Sequence, residues 1–138
     1  MLVDGAGVPL AVAVDGANVH DQKLLEPTLD AIPVPRPEPA PYKPQHLCLD
    51  KGYTGEPVDE AVRERGYTPH VPDKSNPAAT PQRRRRAKAR RWKVERTHSW
   101  VNRARRLLIR WEKKVANYVG FLHLQFAIVA LRTAGVLG

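Results

Sequence analysis

The segment from Arg91 to Lys114 constrains the fold most, because it combines the longest helical pattern in the chain with a very high density of positive charge. Small and apolar residues recur there at steps of three and four, which predicts one amphipathic helix. The residues on this predicted face are Thr97, Val101, Ala104, Leu108 and Trp111. Glu95 falls on the opposite side, near Arg91, His98, Asn102 and Arg106. A lone carboxylate in a cationic neighbourhood is therefore a first candidate for chemistry.

Positive charge is concentrated in one part of the chain. Between Arg83 and Lys114, fifteen Lys and Arg residues stand against Glu95 and Glu112, which leaves a local charge of +13. The rest of the chain has eight basic and twelve acidic residues, and therefore a charge of −4. Such a block is typical of a polyanion-binding surface, with nucleic acid as the commonest partner. A merely solvated basic face is the alternative.

Several protein classes are disfavoured by the composition of the 138-residue chain. Its only cysteine, Cys48, excludes a disulfide framework and a four-cysteine zinc site, and it is compatible with a reducing cytosol. The first residues lack the basic region of a signal peptide. The apolar run from Tyr118 to Leu131 is shorter than the roughly 20 residues of a membrane span. We therefore expect one small cytoplasmic domain without a membrane partner.

The first half of the chain predicts a hairpin followed by a helix. Leu2 to Asp4 and Pro9 to Asp15 are short apolar runs around a glycine-containing turn. Asp4 is expected to cap that turn rather than to act in catalysis. The next helix carries Leu24, Leu25, Leu29 and Ile32, ends before Pro33, and has Asn18 or Asp21 as its predicted N-cap.

The later segments predict further strands and helices. Leu47 to Leu49 is a short buried strand, and a helix with Val58, Ala61 and Val62 inside follows and stops at Gly66. Tyr67 to Val71 is a short or edge strand because it contains Pro69. A last helix falls within Asn117 to Gly135. This order predicts a mixed α/β layer fold. We divide it into a sheet with helices (1–72), a basic linker (73–90) and a C-terminal helix pair (91–138).

Two carboxylates differ from the other acids in their context. Asp50 sits at the end of the predicted strand, before a glycine-containing turn, and Glu95 lies on the arginine-rich helix. Acids brought together from a strand end and a helix suit a magnesium site for phosphoryl transfer, with cationic side chains nearby to hold phosphates. Ordinary surface salt bridging is the alternative.

Three stretches carry a resemblance to a known family. LVDGAGVPLAVAVDGANVHD, LCLDKGYTG and RRWKVERTHSWVNRARRLLIRWEKK, in this order, resemble the C-terminal part of DDE transposases of bacterial insertion sequences, in particular insertion sequence family five. The resemblance implies an RNase H-like fold in which two Asp and one Glu bind two divalent ions. It implies that Asp50 is the second acid and Glu95 the third.

The resemblance also shows two departures. The family's helix signature sets Tyr, Arg, Glu and Lys at fixed steps; Arg91 and Glu95 keep the inner two, whereas Lys88 and Asn102 stand at the outer two. The first catalytic Asp should lie on a central strand upstream of LVDG, and Asp4 and Asp15 do not match its context. We therefore expect a truncated catalytic core that lacks its first central strand and has an incomplete two-metal Mg²⁺ site.

The implied activity is DNA transposition, with metal-dependent strand cleavage and transfer at transposon ends when the enzyme is complete. The partners would be DNA and the missing N-terminal part or another transposase subunit, at the bacterial nucleoid. Trp92 and Trp100 would either stack on a displaced base or belong to the core. The chain alone is expected to be inactive, and the alternative is a non-catalytic DNA-binding regulator of a full-length transposase. The expected DNA contacts are Lys51, Arg91, Arg96, His98, Asn102, Arg103 and Arg106.

Overall fold

A computed structural model describes residues 1–71 and 81–137, including the side chains of 1–71 and 92–137. Along these ranges a hairpin, a helical segment, a strand–helix–strand unit and three helices follow one another. The elements are β1 (Leu2–Val3), β2 (Pro9–Ala11), a short 3-10 helix (Asp21–Leu24), α1 (Leu25–Asp30), β3 (Gln45–Cys48), α2 (Glu56–Glu64), β4 (Tyr67–His70), α3 (Pro81–Asn102), α4 (Arg105–Leu108) and α5 (Val115–Thr133).

Strands β1 and β2 form the predicted antiparallel hairpin, with Leu2 opposite Ala11. Asp4 caps its turn, because one carboxylate oxygen accepts hydrogen bonds from the N–H groups of Ala6 and Val8, both at 2.8 Å. Gly7 adopts a left-handed φ of +85° in the same turn, which a residue with a side chain rarely adopts. The prediction that Asp4 is a turn residue is confirmed.

Strands β3 and β4 pair in parallel through α2, with Leu47 opposite Pro69. Helices α1 and α2 cover one side of this pair, and Val62 is completely buried between them and the strands. Helix α2 ends before Gly66, whose φ is +74°, as predicted. The buried side chains of this first core are Leu25, Leu29, Leu47, Val58 and Val62.

An arginine ties α1 to the end of α2. Arg65 forms ion pairs with Asp30 at 2.8 Å and with Glu26 at 3.0 Å. The hydrogen bond to Arg65 lowers the pKa of the Asp30 carboxyl, and these acids raise the pKa of the guanidinium. This contact fixes the two helices over the parallel pair.

The hairpin and the three C-terminal helices share a second core, formed by Val101, Leu107, Leu122 and Phe126. Met1, Val12 and Val14 pack against it from the hairpin side. The hairpin thus lies between two cores, because Leu2 packs against the first one. The fold is mixed α/β, but its strands form two separate two-stranded sheets among the described residues.

The prediction of one helix from Arg91 to Lys114 is wrong at its C-terminal end. Helix α3 ends at Asn102, and the extended backbone of Ala104 (ψ 99°) redirects the chain into α4. This bend brings Leu107 into the second core and leaves Leu108 exposed. At its start, α3 reaches back to Pro81, so the second half of the predicted basic linker is helical, whereas residues 72–80 lie outside the described part.

The predicted N-cap of the first helix also needs correction. His20, not Asn18 or Asp21, caps the 3-10 helix, since its Nδ1 accepts the N–H of Gln22 at 3.3 Å. Helix α5 has 19 residues and is therefore longer than the apolar run from which we excluded a membrane span. By length and composition α5 could cross a bilayer, but core helices of soluble proteins meet the same requirement, so this is only a weak indication.

Candidate functional site

Asp50 lies two residues after β3, in a turn that the surrounding chain holds in place. Its carboxylate accepts the N–H of Lys51 at 2.7 Å, and its carbonyl accepts the N–H of Tyr53 at 3.0 Å. Gln22 clamps the same turn from the 3-10 helix, because its amide donates to the carbonyls of Gly52 and Thr54. The strand end therefore presents an exposed carboxylate on a fixed backbone.

Negative charge gathers around this turn. Burial raises the pKa of the Tyr53 phenol, and the charges of Asp21 and Asp50 raise it further. Asp21 also faces the amino group of Met1, where it opposes the lowering of that group's pKa by burial. The 3-10 helix and the Asp50 turn thus form one acidic neighbourhood beside the hairpin.

His98 marks the side of helix α3 that carries Glu95. His98 is largely exposed, but partial burial of its imidazole lowers the pKa of the ring, and the nearby positive charge of Met1 lowers it further. Glu95 is exposed one helical turn earlier, so Glu95 and His98 lie on the same side of α3.

The described residues do not amount to a complete two-metal site. Among side chains of 1–71 and 92–137, no group of three or more His, Cys, Asp and Glu residues could hold a metal ion. Asp50 and Glu95 supply two carboxylates, whereas a pair of divalent ions bridged for in-line displacement needs further oxygen ligands. The described side chains therefore cannot hold a pair of divalent ions without further ligands.

Helix α3 is docked to the turn of the hairpin by three side chains. The Lys93 ammonium donates to the carbonyl of Gly5, and the Arg96 guanidinium donates to the carbonyl of Ala6. The hydroxyl of Thr97, which is completely buried, donates to the carbonyl of Gly7 at 2.6 Å. Three consecutive turn carbonyls thus fix the helix that carries Glu95. The sequence did not predict this contact, because the residues that form it are about ninety positions apart and no local pattern relates them.

Arg96 lies between two tryptophans. Its guanidinium carbon is 4.8 Å from the ring centre of Trp92 and 4.6 Å from that of Trp100, a cation–π stack along one side of α3. The Nε atom of Arg96 is buried without a hydrogen-bond partner among the described residues. These contacts assign Arg96 a structural part in docking α3, and its DNA contact stays a prediction.

The other predicted DNA contacts lie on different parts of the surface. Lys51, His98, Asn102 and Arg103 are exposed, and Arg91 lies in α3 with its side chain outside the described part. Arg106 pairs with Glu112, Nε to Oε1, at 2.6 Å and covers the ring of Phe121 at 4.7 Å. His98, Asn102, Arg103 and Arg106 are thus exposed on α3, on α4 and between them, and Lys51 is exposed in the Asp50 turn.

Comparison with known proteins assigns the family. Residues 47–132 match the family model described as the transposase DDE domain. The "Putative transposase for insertion sequence element IS402" of Burkholderia cepacia is 34% identical over 136 residues, which are 96% of this chain and 62% of that relative. No solved structure matches the chain. The chain belongs to the DDE transposases of insertion sequences, a family with an RNase H-like α/β fold and a general use of divalent metals.

Proposed function

We propose that this chain contributes the second and third catalytic acids, Asp50 and Glu95, and part of the DNA-binding surface to a transposase that cleaves and joins DNA at transposon ends. The observation that carries the proposal is the placement of Asp50 on a clamped turn at the end of β3. Glu95 is exposed on α3, the helix that three side chains dock to the hairpin turn. Membership of the transposase family supports a role in transposition.

The remaining carboxylate of the site, the family's first acid, would come from a further strand. Strands β1 and β3 belong to different two-stranded sheets, although Leu2 of β1 packs against the core that contains Leu47 of β3. We propose that a further strand lies between β1 and β3 and joins the two sheets into one. We propose that this strand carries the first acid and belongs to another part of the transposase, or to a second subunit. Asp50 and Glu95, completed by that first acid, would hold divalent ions, which would supply Lewis-acid chemistry at the phosphate.

DNA would lie along the exposed basic side of α3 and α4. The proposed contacts are Lys51, Arg91, His98, Asn102, Arg103 and Arg106, with Arg96 holding the helix in place. Contacts to phosphates fix the position of a duplex without reading its bases, and we propose this role for the Arg and Lys residues of the set. Such a protein would act in the bacterial cytoplasm, at the nucleoid.

The proposal is tested by binding of the purified chain to a labelled DNA duplex over a series of salt concentrations. We expect the logarithm of the affinity to fall linearly with the logarithm of salt, because phosphate contacts release counterions. A double variant, Asp50→Ala with Glu95→Ala, should bind at least as well as the wild type, since it removes only negative charge. Binding that is absent, or that does not depend on salt, would contradict the proposal.

A non-catalytic regulator is the second candidate, and the incomplete donor set among the described residues favours it. Such a protein would occupy transposon ends or join a full-length transposase in a mixed assembly. Adding the chain to a transposition assay with an active, full-length relative separates the two functions. If the Asp50→Ala variant still inhibits transposition, the result supports a regulator. If the chain affects transposition only when Asp50 is intact, the result supports a catalytic part.

A further inference from the structure

The loop between α4 and α5 (residues 109–114, hereafter the α4–α5 loop) displays an unusual group of apolar side chains. Trp111 is 72% exposed, and its neighbours Leu108 and Ile109 are 59% and 57% exposed. Exposing a tryptophan to water forgoes a large part of the hydrophobic stabilisation that its burial would give. These three side chains lie outside the second core, although Leu107, immediately before them, is buried in it.

Side-chain contacts tie the loop to α4 and α5 on both sides of Trp111. Glu112, only 13% exposed, accepts the Arg106 guanidinium on its carboxylate at 2.6 Å, and its carbonyl accepts Nε of Arg110 at 3.2 Å. The two guanidinium groups in turn lie over aromatic rings of α5, Arg106 over Phe121 and Arg110 over Tyr118. Trp111 thus projects into solvent from a loop whose neighbouring side chains contact α4 and α5.

The surroundings of Trp111 are strongly cationic. From Arg103 to Lys114 six basic residues stand against Glu112, which leaves a local charge of +5. A protein surface of ordinary composition has too few negative charges to neutralise this charge of +5. A nucleic acid neutralises it with phosphates and offers flat bases to the indole. Charge complementarity therefore selects a nucleic acid as the occupant.

We propose that Trp111 stacks on an unpaired base of DNA, with Leu108 and Ile109 beside it as an apolar wedge and the basic side chains of the loop on the flanking phosphates. An exposed, rigid aromatic ring among cations is the arrangement that binds single-stranded nucleic acid by stacking, and apolar wedges stabilise unstacked base steps. This inference rests on the proposed DNA-binding function and names the DNA structure that the chain prefers.

The test compares two labelled probes, a fully paired duplex and the same duplex with one unpaired, extrahelical base. We expect the wild type to prefer the second probe. Trp111→Ala should weaken binding to it by about tenfold, the usual effect of removing a stacking aromatic, and leave binding to the paired duplex unchanged. Trp111→Phe should restore the preference, because phenylalanine also stacks, and should abolish the part of the tryptophan fluorescence quenching that only the second probe produces.

A matched control is Tyr42→Ala, which removes an aromatic ring that is 90% exposed outside the basic region. This variant should bind both probes as the wild type does. If Trp111→Ala binds both probes like the wild type, or loses affinity for both equally, the stacking inference is overturned while DNA binding stands. A change in self-association alone would assign Trp111 to a protein contact and also overturn it. If the wild type binds neither probe, the proposed function itself fails.

Discussion

The hydroxyl of Thr97 in α3 donates a 2.6 Å hydrogen bond to the carbonyl of Gly7 in the hairpin turn, ninety residues earlier in the chain. The bond is buried, since Thr97 has no exposed surface. It fixes both the rotation of α3 and its position along the hairpin. Glu95, two residues earlier on α3, therefore takes its place relative to the sheet from this contact.

Replacing Gly7 by alanine should destabilise the fold. A Cβ at this position would lie 2.6 Å from Nη2 of Arg96 and 3.3 Å from Oγ1 of Thr97, on a backbone with φ +85°. Left-handed strain and the displaced contacts together should lower the free energy of unfolding by about 1 to 3 kcal/mol, measured by urea denaturation. Gly5→Ala is the control: a Cβ there meets no atom within 4 Å, and the expected change is small. Equal effects of the two changes would argue against the tight docking of α3 on the turn.

Removing the hydroxyl of Thr97 should also destabilise the fold. Thr97→Val keeps the shape of the side chain but leaves the buried carbonyl of Gly7 without this donor. The expected loss is about 1 to 3 kcal/mol in the free energy of unfolding. Thr97→Ser keeps the donor and loses one methyl group, for which about 1 kcal/mol is expected. A serine variant less stable than the valine variant would show that packing, rather than the hydrogen bond, dominates at this site.

Local elements were predictable because their signals lie within a few residues. Asp4 and the neighbouring glycines predicted the hairpin turn, and Gly66 predicted the end of α2. The break after Asn102 was not predictable from periodicity, because Leu107 and Leu108 fit a continuous helix equally well. Only the tertiary position of the second core decides that Leu107 is buried and Leu108 exposed.

The candidate site likewise combines features that the sequence predicted with contacts that it could not predict. Asp50 stood out because a strand end and a turn are local features, and the structure places it in a clamped turn. Arg96 was predicted from its charge as a DNA contact, yet its described partners are a carbonyl of the hairpin turn and two tryptophan rings. Charge along a helix does not reveal which cations face the protein, because that depends on a turn ninety residues away.

The ion pair between Asp30 and Arg65 should make stability depend on pH in the acidic range. Arg65 lowers the pKa of the Asp30 carboxyl in the folded protein, so the pair contributes stability above the carboxyl's unfolded pKa. That contribution is lost as the pH falls through the lower, folded pKa. Asp30→Asn should therefore be less stable than the wild type at neutral pH, and the difference should disappear in acid. Asp59→Asn, which removes an exposed pair to Arg63 at 3.6 Å, is the control with a smaller expected effect.

Without a further acid, the chain should not cleave DNA. Asp50 and Glu95 are two carboxylates, and the described residues hold no group of three or more metal-binding side chains. Two-metal displacement requires ligands that fix both ions on the attacking and leaving oxygens. We therefore expect the purified chain to leave a labelled transposon-end duplex intact in Mg²⁺ and in Mn²⁺, on a denaturing gel, at concentrations where it binds the duplex. Cleavage that Asp50→Ala abolishes, and that Asp59→Ala leaves unchanged, would mean that the chain already contains a complete site.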